Sequence, residues 1–270
     1  MPLTVQKRNP ELIDLLSADF QRRYEPNFAW VNACSAISLL PGLRGFWPMS
    51  ANIKTGLQGT ISVTDIINNF HLAMDGDPLY MSAGLAPYLD FNGVNQYLYY
   101  PDVYQFSILG TEAYIQDKGL TLGCWAYLDA WGAAIRPLMT KWQAANQFSY
   151  YLGAASAANQ TPYFSLSNAG VAVEGTVVSS LGVGIGAWTF LCGRFIPSTS
   201  ACIWVNSTKT TSVAAIPASL FDSTSNLEIA RGLATDYLDG RVSLAWLCAS
   251  ALTDTQIWAI YQQTRALYGA

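Results

Sequence analysis

The stretch Leu120-Thr121-Leu122-Gly123-Cys124-Trp125-Ala126-Tyr127-Leu128 reads as a β-strand and decides the fold class. In a strand, successive side chains point to opposite faces. Leu120, Leu122, Cys124, Ala126 and Leu128 therefore share one face, and Thr121, Trp125 and Tyr127 share the other. The flanking sequence repeats this grammar. Ile135–Trp142 and Phe148–Leu152 are strands joined by the hairpin loop Gln143-Ala144-Ala145-Asn146. Trp188–Phe195 and Ala201–Val205 make another hairpin around Ile196-Pro197-Ser198-Thr199-Ser200, and Leu227–Ala230 and Arg241–Cys248 follow. From residue 46 onward, runs rich in Trp, Tyr, Phe, Val, Ile and Thr alternate with Gly, Ser, Asn and Pro clusters. Many strands with few helices define an all-β chain, a two-sheet antiparallel β-sandwich or jelly roll.

The two ends break the pattern. Thr253-Asp254-Thr255-Gln256 is a capping box. Ile257, Ile260, Tyr261, Thr264 and Tyr268 then form a stripe at helical spacing, so a short C-terminal helix is expected over 254–267. At the other end, Asn9-Pro10-Glu11 supplies a cap, a first-turn Pro and a first-turn acid. Leu12, Ile13, Leu16 and Phe20 follow at helical spacing, which predicts a helix near 10–22 that stops before Pro26. Residues 26–45 read as mixed apolar and turn-like. Lys7, Arg8, Glu11, Asp14, Asp19, Arg22, Arg23 and Glu25 concentrate charge in this segment. The expected organisation is an N-terminal arm over 1–42 and a sandwich domain over 43–270. The arm would dock through Leu12, Ile13, Leu16, Phe20, Arg22 and Arg23.

Composition removes whole classes. The 14 Lys+Arg and 18 Asp+Glu leave a net charge of −4, so no electrostatic footprint for nucleic acid exists. Charged residues are 12% of the chain, against about 25% in ordinary domains, which leaves uncharged surface for subunit contacts. No apolar run approaches the ~18 residues of a membrane span. Met1–Arg8 is followed by Pro and acids rather than an apolar stretch, so no secretion signal is expected. A single His argues against His-based triads and multi-His metal sites. Cys34, Cys124, Cys192, Cys202 and Cys248 are an odd set without a CxxC. They read as buried free thiols of a chain folded in a reducing cytoplasm, with a Cys192–Cys202 bridge as the alternative.

An ordered set of motifs resembles the laminin-G-like, concanavalin A-like jelly roll. Leu43-Arg44-Gly45-Phe46-Trp47-Pro48-Met49 resembles its opening L-x-G-Y-W-P-L strand. Leu89-Asp90-Phe91-Asn92-Gly93 with Tyr97-Leu98 resembles L-x-F-D-G…Y-V. Met139-Thr140-Lys141-Trp142 with Ser149-Tyr150-Tyr151-Leu152-Gly153 resembles L-S-K-W…S-Y-x-L-G. Gly186–Cys192, Ile203–Asn206, Tyr237–Val242 and Ala251–Ile257 continue the series to about residue 262. Thr189 and Phe190 stand where the pattern has two His, Ser207 where it has Gly, and Ser243 where it has an acid. The resemblance implies the lectin/glucanase sandwich, with the hydrophobic alternation intact.

Glucanases of this architecture use a close carboxylate pair. Glu112, Glu174 and Glu228 are isolated, so no enzymatic activity is expected, and a divergent glycoside hydrolase is a remote alternative. Calcium needs clustered oxygen ligands. Asp65 with Asn68 and Asn69, or Asp75 with Asp77, are the candidates; otherwise no cofactor is expected. Exposed aromatics mark glycan platforms or protein interfaces. Trp131, Trp142, Tyr97, Tyr99, Tyr100 and Tyr104 are the candidates, while Trp125, Trp188, Trp204 and Trp246 read as packing. The expected function is a non-catalytic structural component on a particle surface, most plausibly a bacteriophage virion (capsid decoration, head spike or tail-associated). Its partners would be other virion proteins and further copies of itself, with weak adhesion to cell-surface glycans. A stand-alone, extracellular lectin-like adhesion module is the alternative.

Overall fold

This computed structural model describes residues 28–50, 53–55, 61–81, 86–110, 118–131, 136–143, 146–154, 160–171, 173, 175–233 and 235–270. In chain order the elements are α1 (Phe28–Ser38), β1 (Leu43–Trp47), β2 (Ile53–Thr55), β3 (Ile61–Val63), β4 (Leu72–Asp75), β5 (Leu79–Met81) and β6 (Tyr88–Asn92). Next come β7 (Tyr97–Tyr100), β8 (Leu120–Leu128), β9 (Pro137–Trp142), β10 (Phe148–Gly153), β11 (Tyr163–Leu166) and β12 (Gly175–Val178). The chain closes with β13 (Trp188–Ile196), β14 (Ser200–Val205), β15 (Thr208–Ser212), β16 (Leu227–Ile229), β17 (Asp239–Cys248) and α2 (Asp254–Thr264). One sheet has the order β15-β14-β13-β8-β17-β6-β5, with β1 also on β17. The other has the order β12-β11-β10-β9-β16-β7-β4-β3-β2. The fold is a sandwich of two antiparallel sheets, as the alternation predicts.

β8 shows why. Leu120, Leu122, Cys124, Ala126 and Leu128 enter the core between the sheets, with Leu152, Phe164, Leu191 and Ile229. Opposing backbones come close there. A Cβ on Gly193 of β13 would lie 2.7 Å from the Phe164 ring of the facing sheet. The other face of β8 is buried too, because a second core lies outside the eight-stranded sheet. Trp125, Phe190, Trp204, Trp246 and Cys248 from the sheet meet Trp30, Cys34 and Ile37 of α1 and Ile257, Ile260 and Tyr261 of α2. Trp125 stacks on Tyr268 at 4.3 Å, and its indole N–H donates to Thr264 Oγ1 at 2.9 Å. The expected capping box starts α2, with the Gln256 N–H donating to Thr253 Oγ1.

β17 serves both β6 and β1 along one edge because it bends. Residues 239–242 pair with β6, and residues 245–248 pair with β1. Between them Leu244 takes φ +46° and the register with β8 shifts, which is a β-bulge. Val242 and Ala245 consequently both face the inner core, while Leu244 and Trp246 both face the outer one.

The reading of residues 26–45 as turn-like is corrected for 28–38, which form α1. Its first turn has no acid and its last turn no base, and Trp, Val, Asn, Cys, Ser and Ile are weak helix formers. Packing of Trp30, Ala33, Cys34 and Ile37 against the sheet, not propensity, makes this helix. The expected helix at 10–22 and its docking residues Leu12, Ile13, Leu16, Phe20, Arg22 and Arg23 lie outside the described residues. All five cysteines are free and buried, so the Cys192–Cys202 bridge does not form.

Burial raises several acidic groups together. The hydroxyls of Tyr97, Tyr150, Tyr151, Tyr163 and Tyr268 are held well above the usual tyrosine range, and the Cys124 thiol is pushed up to about 12. The unfolded chain loses the thiol proton above pH ~8.5 and the hydroxyl protons above pH ~10, while the native chain keeps them. The native state then binds more protons, so stability falls as pH rises. Thermal melts between pH 7 and 11.5 should show a midpoint that starts to fall near pH 8.5 and drops steeply above about pH 10.

Candidate functional site

The eight-stranded sheet carries α1 and α2 on its outer face; the outer face of the nine-stranded sheet holds a row of polar and aromatic side chains. The register defines its members. Tyr151 of β10 lies opposite Thr140 of β9, Thr140 opposite Glu228 of β16, and Glu228 opposite Tyr99 of β7. Directly opposed residues share a face. Their neighbours Leu152, Met139, Ile229 and Leu98 point the other way, into the inner core.

Rings flank the centre on both sides. Trp142 stacks on Phe148 at 4.4 Å and meets the edge of Tyr151, which stacks on Tyr163 at 5.4 Å. On the far side Tyr97 contacts Tyr99 at 5.7 Å and Tyr237 at 6.2 Å. Between the two groups, the Arg231 guanidinium grips Glu228 with two hydrogen bonds, one of them 2.9 Å from Nε to Oε2. The same guanidinium lies 3.5 Å over the Tyr97 ring. The Glu228 side chain is 0% exposed. Burial pushes its carboxyl up, and the Arg231 hydrogen bond and charge pull it partly back. Burial works against the Arg231 charge, yet Glu228 holds that guanidinium above its usual range.

The loop Arg231–Tyr237 lies across the row. It is closed by hydrogen bonds from Gly232 N–H to Asp236 O and from Asp236 N–H to Leu233 O. Thr140 Oγ1 donates to Arg231 O at 2.8 Å. Gly232 sits on Tyr151, where a Cβ would come within 2.7 Å of the ring.

Of the six aromatics singled out from the sequence, Tyr97, Tyr99 and Trp142 reach this face. Two corrections apply. Trp142 is 5% exposed and Tyr97 9%, because Phe148 and Arg231 cover them, so neither is a free platform. Trp131 and Tyr100 are half-buried and pack against the inner core instead. Tyr104 stands apart, 54% exposed in a single helical turn. Sequence reasoning missed Tyr151, Tyr163, Tyr237 and Arg231. Tyr151 alternates with the core residues Tyr150 and Leu152, and that period was the available signal.

The calcium candidates do not fit the ion. Asp65 is buried, and its two oxygens accept N–H groups of Phe46, Ile67, Asn68 and Phe70. It ties β1 to the loop after β3. Asn68 turns its amide N–H₂ toward Leu43 O and Arg44 O. Asp75 lies opposite Tyr97 in the β4–β7 register, and Asp77 offers its carbonyl to Gln96 Nε2. Among the described residues no group of three or more His, Cys, Asp or Glu side chains could hold a metal. Nor is any described helix long and apolar enough to cross a membrane.

An antiparallel sandwich with helices on one sheet and an aromatic, ion-paired row on the other is a lectin- or glucanase-type domain. The chain belongs to the concanavalin A-like lectin/glucanases superfamily, whose family model matches residues 92–258. No curated protein matches it in sequence. Among solved structures it resembles the binding domain of Paraclostridial Mosquitocidal Protein 1, with 9% identity and a TM-score of 0.62 over 82% of this chain and 52% of that one. It also resembles domain 4 of an extracellular arabinanase from Geobacillus stearothermophilus, in complex with arabinotriose. There the identity is 12% and the TM-score 0.57, over 82% of this chain and 98% of that one. Trypanosoma rangeli sialidase in complex with sialic acid shares 14% identity at a TM-score of 0.60, over 94% of this chain and 40% of that one. The fold is thus shared by binding domains and by a glycosidase, and at these identities the likeness is one of fold.

Removing one partner of the buried pair strands the other charge. Glu228→Gln should cost about 3–5 kcal/mol, and the double change Glu228→Leu with Arg231→Met should recover most of it. Urea unfolding of the two variants and the parent checks this.

Proposed function

We propose that the chain is a non-catalytic binding domain that recognises oligosaccharides on the outer face of its nine-stranded sheet. The observation that carries this reading is the row of tyrosines on that face, with half-buried Tyr99 and Tyr163 at its two ends. Ring faces take up the apolar faces of pyranose or furanose rings, and hydroxyls and carboxylates at the rim pair with sugar hydroxyls. The arabinotriose complex of the arabinanase domain supports a sugar ligand for this architecture. A scaffold role for Glu228 suits binding better than catalysis, since Arg231 engages both of its oxygens. A glycosidase needs two carboxylates about 5–10 Å apart, each free to act.

Tyr99→Ala and Tyr163→Ala should each weaken glycan binding about tenfold, a loss of ~1.4 kcal/mol, with little change in the melting temperature. Glycan-array screening followed by calorimetry on the best ligand checks this. Undiminished affinity in both variants would sink the assignment of the face.

Display on a larger particle, as a virion component, is the setting we infer for such a domain. The charge-rich segment before residue 26 would supply the anchor, and copies would meet through the charge-poor surface. Because α1 belongs to the folded domain, the test is removal of residues 1–27 alone. The shortened chain should melt like the parent and keep its glycan affinity, but lose incorporation into its particle. Full occupancy after truncation would overturn the anchoring role.

A further inference from the structure

We infer that this face selects uncharged oligosaccharides and rejects anionic ones. The inference rests on the glycan-binding reading above and concerns which sugars that face takes. Carboxylates stand along the whole row. Asp75 lies opposite Tyr97 in the β4–β7 register, and its charge helps hold the Tyr97 hydroxyl above the usual range. Glu228 holds the centre. Asp236 lies close enough for its charge to act on both Tyr151 and Tyr163. Asp239, just beyond, faces Arg136 at 3.7 Å. Against these four carboxylates stand two guanidinium groups, Arg136 and Arg231, and both are engaged. Arg231 is closed on Glu228 and lies on Tyr97. Arg136 donates to Tyr237 O at 2.7 Å and faces Asp239. Among the described side chains these four negative and two positive groups leave −2, and the β2–β3–β4 register adds Lys54 at the far edge of the face, two strands beyond Asp75.

A sugar carboxylate is best held by the fork of a free guanidinium. Here a uronic or sialic acid would have to draw Arg231 away from Glu228, leaving that carboxylate buried and unpaired. Along the row it would also meet Asp75 and Asp236, whose fields reach ~8 Å in physiological salt. A neutral sugar meets no such opposition. Its ring stacks on tyrosine, and its hydroxyls donate to the Asp75 and Asp236 carboxylates, which as ions only accept.

The test uses the full chain at neutral pH and pairs of glycans that share one neutral core, each with and without a terminal sialic acid or an added uronic acid. The neutral member of each pair should bind about tenfold tighter. Added NaCl should narrow that gap on the unaltered chain, because screening weakens the repulsion. Asp75→Asn combined with Asp236→Asn should narrow it as well. Equal or tighter binding of the acidic members would overturn the inference, as would a gap indifferent to salt. If neither member of any pair binds, the glycan reading itself fails, and the two failures are told apart by that outcome.

Discussion

The eight-stranded sheet is dry on both faces, and the rest of the molecule follows from that constraint. Its inner face is covered by the opposing sheet, as in any sandwich. Its outer face carries Phe46, Trp125, Phe190, Trp204 and Trp246, far too much apolar surface to leave in water. Two helices from opposite ends of the described chain close over it. The stack of Trp125 on Tyr268 and the indole hydrogen bond to Thr264 fasten the C-terminal one. Strand β8 is consequently buried at nearly every position, and its thiol- and indole-bearing neighbours lie in protein rather than at the surface.

That constraint also decides which broad face is left uncovered. With one sheet sealed by helices, the outer side of the other sheet is the broad face that remains. The sandwich uses it by putting tyrosine and tryptophan rings on alternate positions of β7, β9, β10 and β11. The loop Arg231–Tyr237 then crosses the row and tightens it. Gly232 permits that crossing, since any side chain there would strike the Tyr151 ring.

Much of the fold was legible because it rests on period and on local chemistry. The alternation of Leu120–Leu128 named both faces of β8 correctly, and Thr253 with Gln256 marked the start of α2. The roles of single aromatics were less legible. Trp142 and Tyr97 do reach the outer face, but Phe148 and Arg231 arrive from elsewhere to cover them, and no local pattern announces such a cover. Asp65 looked like a metal ligand because an acid beside two asparagines suits a cation. The same carboxylate is equally suited to four backbone N–H groups, and only the path of the chain shows which partners it has. α1 stayed hidden for a related reason, as its stability comes from a surface formed by strands distant in sequence.

Glu228 and Arg231 show how the site and the scaffold share one device. Burying such a pair costs desolvation that the attraction only partly offsets, so it is a poor source of net stability. Its geometry is nonetheless demanding: two hydrogen bonds orient the guanidinium plane, and that plane lies on the Tyr97 ring. The tyrosine is thereby held in one position, opposite Asp75 in the β4–β7 register. An apolar pair of similar size would fill the volume but would direct nothing. The charge that makes the centre expensive also makes it orienting, and a row of rings fixed in orientation has no ordering left to do before it meets another surface.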